Sequence, residues 1–117
     1  MSLEADIVSV LKTCCQRVRP DFAPFETERP YVIYQAIGGQ AWRHVDNSPA
    51  GLRHTMLQVS VWATTRAEAS GLIRQIEEAF CAATVFTARP SAEATSTAEE
   101  DLNLYGSQQD FDLYSPR

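Results

Sequence analysis

The chain has 117 residues, 44% of them apolar and 21% charged, which suits one domain around one modest core and excludes disorder over the whole length. Its longest apolar runs, such as Tyr31-Val32-Ile33-Tyr34, are far shorter than the roughly 20 residues a spanning helix needs, and Glu4 and Asp6 interrupt the start where a signal peptide would be positive and then purely apolar. The net charge of −5 is uneven: acids and bases balance over residues 1–90, whereas residues 91–117 carry Glu93, Glu99, Glu100, Asp101, Asp110 and Asp112 against Arg117 alone, and with Lys12 the sole lysine no basic patch for a phosphate backbone is expected.

A first helix is predicted over Leu3–Arg17. Leu3, Ile7, Val10, Leu11, Cys14 and Val18 recur at three- and four-residue steps and share one face. Ser2 is placed to cap it, Glu4 and Asp6 suit the positive end of its dipole, Arg17 and Arg19 suit the other end, and Pro20 blocks continuation. Residues 20–30 form a connector with Pro20, Pro24 and Pro30, from which Phe22 and Phe25 are expected to fold back onto the core. A β-branched and aromatic strand follows over Tyr31–Ile37. Gly38-Gly39 mark a bulge or bend, and extended chain is expected to continue through Gln40-Ala41-Trp42-Arg43-His44. Asp46-Asn47-Ser48-Pro49-Ala50-Gly51 is a turn by composition and a candidate mobile loop.

The next strand, about Arg53–Ala63, alternates. Leu57, Val59, Val61 and Ala63 make one purely apolar face, while Met56, Gln58, Ser60 and Trp62 make the other mixed, as in a sheet covered by helices on one side only. Thr65-Arg66-Ala67-Glu68 is a capping box that opens a second helix. Its stripe is Ala69, Leu72, Ile73, Ile76, Ala79 and Phe80, and its opposite face shows Arg74, Gln75, Glu77 and Glu78. After Cys81, Thr84-Val85-Phe86 and the small polar residues through Thr97, Pro90 among them, read as an edge strand or an extended loop. A final strand is predicted over Leu104–Ser115, with Tyr105, Ser107, Gln109, Phe111 and Leu113 on one face and Asp110, Asp112 and Tyr114 on the other. Residues 1–117 thus read as a single α+β domain: a two-layer sandwich, an antiparallel sheet with two helices packed on one face, in the order α-β-β-α-β-β.

No catalytic, metal or cofactor set stands out. Cys14, Cys15 and Cys81 are odd in number, form no C-x-x-C and lie at no ligand spacing from His44 or His54, so free packed thiols are expected. A nucleophile needs a base in reach and a group to orient it, and neither histidine neighbours a cysteine along the chain. Glu77-Glu78 and Glu99-Glu100-Asp101 read as solvated charge. Gly38-Gly39 lacks the Lys-Ser/Thr and helix start of a phosphate loop. Trp62 reads as packed on its sheet face. Trp42, between a glycine bend and a polar turn, reads equally well as packed or as part of a binding patch.

Four segments carry a family resemblance: Glu4-Ala5-Asp6-Ile7-Val8; Arg29-Pro30-Tyr31-Val32; Val59-Ser60-Val61-Trp62-Ala63-Thr64-Thr65-Arg66-Ala67-Glu68-Ala69; and Gln109-Asp110-Phe111-Asp112-Leu113-Tyr114. In these, and over nearly its whole length, the chain resembles the tail-completion (tail-terminator-like) proteins of tailed phages and prophages. The strand-to-helix segment is the most specific, and none is a catalytic signature. The resemblance implies a structural, non-enzymatic role at the head-proximal end of the tail, helping to join head to tail, with a ring oligomer as the expected form. Implied partners are further copies of the chain and the tail-tube and head-connector proteins, with no direct contact to nucleic acid or membrane. The implied location is the host cytoplasm during assembly, then the virion tail or head–tail junction. Candidate interface residues are Trp42, Asp46, Asn47 and Ser48 around the turn and Glu99, Glu100 and Asp101 in the acidic C-terminal part. The rival reading is a cytoplasmic, non-enzymatic binding module that uses Trp42 and the 46–51 loop.

Overall fold

The computed structural model describes residues 2–24, 27–48 and 50–116. Helix α1 (Leu3–Lys12) starts as the sequence predicts, with the Ser2 hydroxyl accepting from the Ala5 amide at 3.1 Å, and it buries Ile7 and Leu11. It ends well before Arg17. Thr13 turns its hydroxyl onto the Val10 carbonyl at 2.6 Å, giving that oxygen a partner outside the helical ladder. Cys14 and Cys15 therefore lie after the helix and not on it. The chain then straightens into strand β1 (Val18–Pro20), which pairs in parallel with β2 (Tyr31–Gly38), Val18 opposite Val32. Three residues ending in proline leave no alternation to read. Tertiary bonds hold the strand instead: the Val32 amide donates to the Arg17 carbonyl at 2.9 Å, and Arg17 Nε donates to the carbonyls of Glu28 and Pro30.

Strand β2 runs antiparallel to β3 (Leu52–Ala63), Tyr31 opposite Trp62, and the register slips between Ala36 and Gly38, where the glycine pair predicts a bulge. Beyond it the expected extended segment Gln40–His44 is not a strand, apart from an isolated bridge at Arg43. The Gln40 amide bonds to the His54 ring rather than to a neighbouring strand. Helix α2 (Arg66–Ala82) is capped by Thr65, whose hydroxyl accepts from the Glu68 amide at 3.2 Å, while the Glu68 carboxylate reaches back to the Thr64 amide. It buries Ala69, Leu72, Ile73, Ile76 and Phe80, and Ala79 is half-buried.

Strand β6 (Leu104–Pro116) pairs antiparallel with β3 from Leu52 opposite Pro116 to Ala63 opposite Tyr105. Its other side takes β4 (Thr87–Pro90) and β5 (Thr95–Glu99). Pro90 faces Phe111 and Thr95 faces Gln108, so residues 91–94 bulge out opposite Gln109 and Asp110. Gln109 fills the gap, its amide nitrogen donating to the Ala92 carbonyl at 2.9 Å and to the Glu77 carboxylate at 2.7 Å. The polar stretch is thus an edge strand interrupted by a loop.

Two corrections follow. The element order is α-β-β-β-α-β-β-β, and the six-stranded sheet is mixed, ordered β1-β2-β3-β6-β4 with β5 also on β6. The antiparallel α-β-β-α-β-β plan fails at β1, which is too short to leave a pattern, and at the broken edge. The core gathers Ile7 and Leu11 of α1, the α2 stripe, and alternate sheet residues Val32, Tyr34, Leu57, Val59, Val61, Phe111 and Leu113. Phe80 meets Phe86 and Phe111 edge-on, with centroids 5.6 and 4.8 Å apart, a favoured aromatic geometry. The Tyr34 hydroxyl donates to Glu4 at 3.0 Å, and burial, reinforced by that bond and the charges of Glu4 and Asp21, pushes its pKa up to about 12. Phe22 is 73% exposed and does not fold back, because Asp21 takes a φ of 65° and turns the chain outward. Phe25 lies outside the described residues.

All three cysteines are free. The melting temperature followed by circular dichroism should therefore be the same with and without reductant. A fall of more than about 4 °C in reductant, roughly the 1 kcal/mol scale for a domain of this size, would reveal a stabilising disulfide.

Candidate functional site

The face of β3 and β6 that carries His54, Met56, Gln58, Asp110, Asp112 and Tyr114 is opposite the one that builds the core. Trp62 sits half-buried on it across Gly106, where a Cβ would meet the indole at 2.9 Å. At the Leu52 end of this face a cluster forms. His54 is opposite Tyr114 in the ladder, and their rings stack at 5.0 Å. The Gln40 amide donates to His54 Nδ1 at 2.9 Å, so Nδ1 keeps its lone pair and Nε2 carries the hydrogen donated to Asp112 Oδ1 at 2.8 Å. Ser91 Oγ donates to Asp112 Oδ2 at 3.0 Å. Trp42 stacks on His54 and Tyr114, at 5.7 and 6.1 Å, and donates Nε1–H to the Gln40 side-chain oxygen at 3.0 Å.

Trp42 is thereby the anchor of a hairpin. The Ala50 amide donates to the Trp42 carbonyl, His44 to Ser48 at 2.9 Å and Asn47 to His44 at 2.8 Å. Asp46 Oδ1 accepts from the Ser48 hydroxyl at 2.6 Å and the Ser48 amide at 3.0 Å, and these bonds hold its carboxyl below the usual range. Asn47 supplies the left-handed residue, φ 69°, a conformation asparagine tolerates. Pro49 lies outside the described residues. Val45, between His44 and Asp46, is fully exposed.

The second predicted group is elsewhere. Glu99 ends β5, and Glu100 and Asp101 follow it in the turn to β6; all three are exposed, at the other end of the β3–β6 ladder. Arg29 grips this turn by its backbone, donating to the carbonyls of Asn103 at 2.9 Å and Leu102 at 3.1 Å. Arg66 does the same alongside, donating to the Thr97 carbonyl at 2.6 Å and the Gly106 carbonyl at 2.7 Å. Both guanidiniums bind carbonyls, so the three carboxylates point no bond at them; among the described residues the one Arg–carboxylate pair is Arg17–Glu28, and His54–Asp112 is the hydrogen bond described above. The Trp42 and Glu99 groups are thus not one site. They mark opposite ends of a molecule 53 Å long and 25 by 24 Å across.

In the Ser91–Asp112–His54 chain the carboxylate lies between hydroxyl and imidazole, and the ring's lone pair is held by the Gln40 amide. Ser91 Oγ is bonded to the Asp112 carboxylate, which His54 also engages. Cys15 Sγ is directed at the carbonyls of Arg17 and Pro30. Among the described residues no group of three His, Cys, Asp or Glu could hold a metal, and no helix is long and apolar enough to cross a membrane. Asp112 was legible only as a strand position. Its partners are 58 and 21 residues away in sequence, and nothing short of the β3–β6 register could have joined them.

The bond from His54 holds the Asp112 carboxyl below its usual range, helped by the Ser91 hydroxyl and the Arg89 guanidinium and opposed by desolvation. A carboxyl with a depressed folded pKa stabilises the fold above its unfolded pKa, and that stabilisation is lost as pH falls through the folded value. Acid titration of wild type should therefore loosen the Trp42 stack below the ordinary carboxylate range. Asp112→Asn should flatten that part of the tryptophan-fluorescence titration; an unchanged acid limb would show that Asp112 does not hold the stack.

The chain matches the family model described as Tail completion protein gp17 over residues 4–114. No curated protein matches it. The match runs from Glu4 in the first turn of α1, through α2, to Tyr114 near the end of β6, and so the chain belongs to the phage tail completion protein gp17 family.

Proposed function

We propose that this chain is a non-enzymatic structural subunit that completes the head-proximal end of a phage tail and helps join it to the head, assembling as a ring in the host cytoplasm. Its partners are then further copies of itself, the tail tube and the head connector. The observation that carries the ring is the polarity of the molecule. A pinned hairpin stands at one end of the β3–β6 ladder and an acidic turn at the other, and closed rings need two different patches that meet, where a two-fold dimer needs one patch that meets itself. The family membership carries the placement in the tail. The rival reading of Trp42 as a ligand pocket gains nothing, because the indole's stacking and its N–H are already engaged within the chain. Immunogold labelling of purified virions tests the location. Gold confined to the head–tail junction is expected; label along the whole tail, or none on virions, would contradict it.

A further inference from the structure

Among the described residues, three of the six exposed large apolar side chains, Ile37, Val45 and Leu52, lie at the hairpin end of the sheet. Arg43 and Arg53 flank Val45 and Leu52 there, both exposed. At the opposite end a hollow of about 300 Å³, lined by Pro24, Thr27, Arg29, Tyr31, Leu102 and Leu104, opens beside the acidic turn. Leu102 on its rim is 49% exposed. One end is an apolar tip flanked by Arg43 and Arg53, with Asp46 beside Val45; the other is a largely apolar hollow, with Arg29 in its lining, next to the exposed Glu99, Glu100 and Asp101. The two cannot meet within one chain, because the β6 ladder from Tyr105 to Tyr114 holds them roughly 30 Å apart at ~3.4 Å per residue.

We propose that the 42–50 hairpin of one copy seats Val45 in the hollow beside the 99–103 turn of the next copy, with Arg43 and Arg53 facing Glu99, Glu100 and Asp101. This rests on the ring reading and names its interface. The hairpin is already set by the Trp42 stack and the Asp46–Ser48 bonds, so little ordering is needed on contact. The charges bring the ends together and fix their register, and salt weakens that part of the attraction. Each copy offers one tip and one hollow, so association continues until the ring closes.

Sedimentation of the full chain over a range of concentration tests this with Val45→Asp and Leu102→Asp, each checked for folding by its melting curve. Wild type should form closed oligomers as concentration rises, less readily in high salt. Each variant alone should associate at least about ten-fold more weakly, as when a central apolar anchor is lost. An equal mixture of the two should stop at a heterodimer, because one copy keeps a sound hollow and the other a sound tip. Should either variant misfold, charge reversal serves instead: Arg53→Glu and Glu100→Arg should each weaken assembly, and a chain carrying both should recover it. Rings that form equally well in the variants would overturn this interface and leave the ring reading intact. A wild type that stays monomeric at every concentration and in chemical cross-linking would overturn both.

Discussion

Ile76→Asp should leave the chain largely unfolded, whereas Gln75→Asp should melt within a degree or two of wild type. Ile76 is fully buried on the α2 stripe, packed into the cluster that includes Leu11, Val61 and Phe111. Removing its side chain forfeits roughly 1.5–3 kcal/mol of burial. The new carboxylate has no partner there, and burying an unpaired charge costs several kcal/mol more, or forces it to take up a proton. Together these rival the roughly 5–15 kcal/mol by which a domain is stable at all. Gln75 is exposed one residue away, and surface changes of this kind stay within about 0.5 kcal/mol. Urea denaturation followed by circular dichroism separates the two. Equal midpoints would mean that α2 presents a different face to the sheet.

The second large effect is expected at the bulge. Gly38 and Gly39 have φ of 131° and 142°, a region that side chains rarely enter, at a cost of about 1–3 kcal/mol. At Gly38 a Cβ would stand in open space, so Gly38→Ala should show that strain alone. At Gly39 it would land on the His54 carbonyl oxygen, a backbone atom fixed within β3, which cannot swing aside. Gly39→Ala should therefore push the chain off the sheet at this point. The Gln40–His54 bond and the Trp42 stack would go with it, while the α2–β6 core remains. Expected signs are a red-shifted tryptophan emission and protease cleavage within residues 43–48 under native conditions. If Gly39→Ala behaves no differently from Gly38→Ala, the close approach of the bulge to β3 is wrong.

Long, regular elements were legible because their periodicity follows from burial. Strand β3, helix α2 and strand β6 each place their apolar residues at the steps their geometry requires, and the structure buries Leu57, Val59, Val61, Ile73, Ile76, Phe111 and Leu113 accordingly. The ends and edges were not legible. Helix α1 stops at Lys12 because Thr13 offers the Val10 carbonyl another partner, and β1 exists only through its bonds to β2 and to the 28–30 loop, neither of which leaves a local pattern. The candidate surface divides in the same way. Asp46, Asn47 and Ser48 announce a turn by composition, and a turn is there. That Trp42 pins this turn to His54 and Tyr114 depends on a bulge and on a register spanning half the chain. That the turn and Glu99-Glu100-Asp101 sit at opposite ends depends on the length of one ladder.

If this chain completes the tail so that a head can join it, as proposed, deleting its gene from the parent phage or prophage should leave a phenotype visible in the lysate by electron microscopy. Filled heads and separate tails should accumulate, and adding the purified chain to that lysate should restore joined particles and infectivity. Intact, infectious particles forming without it would contradict the claim.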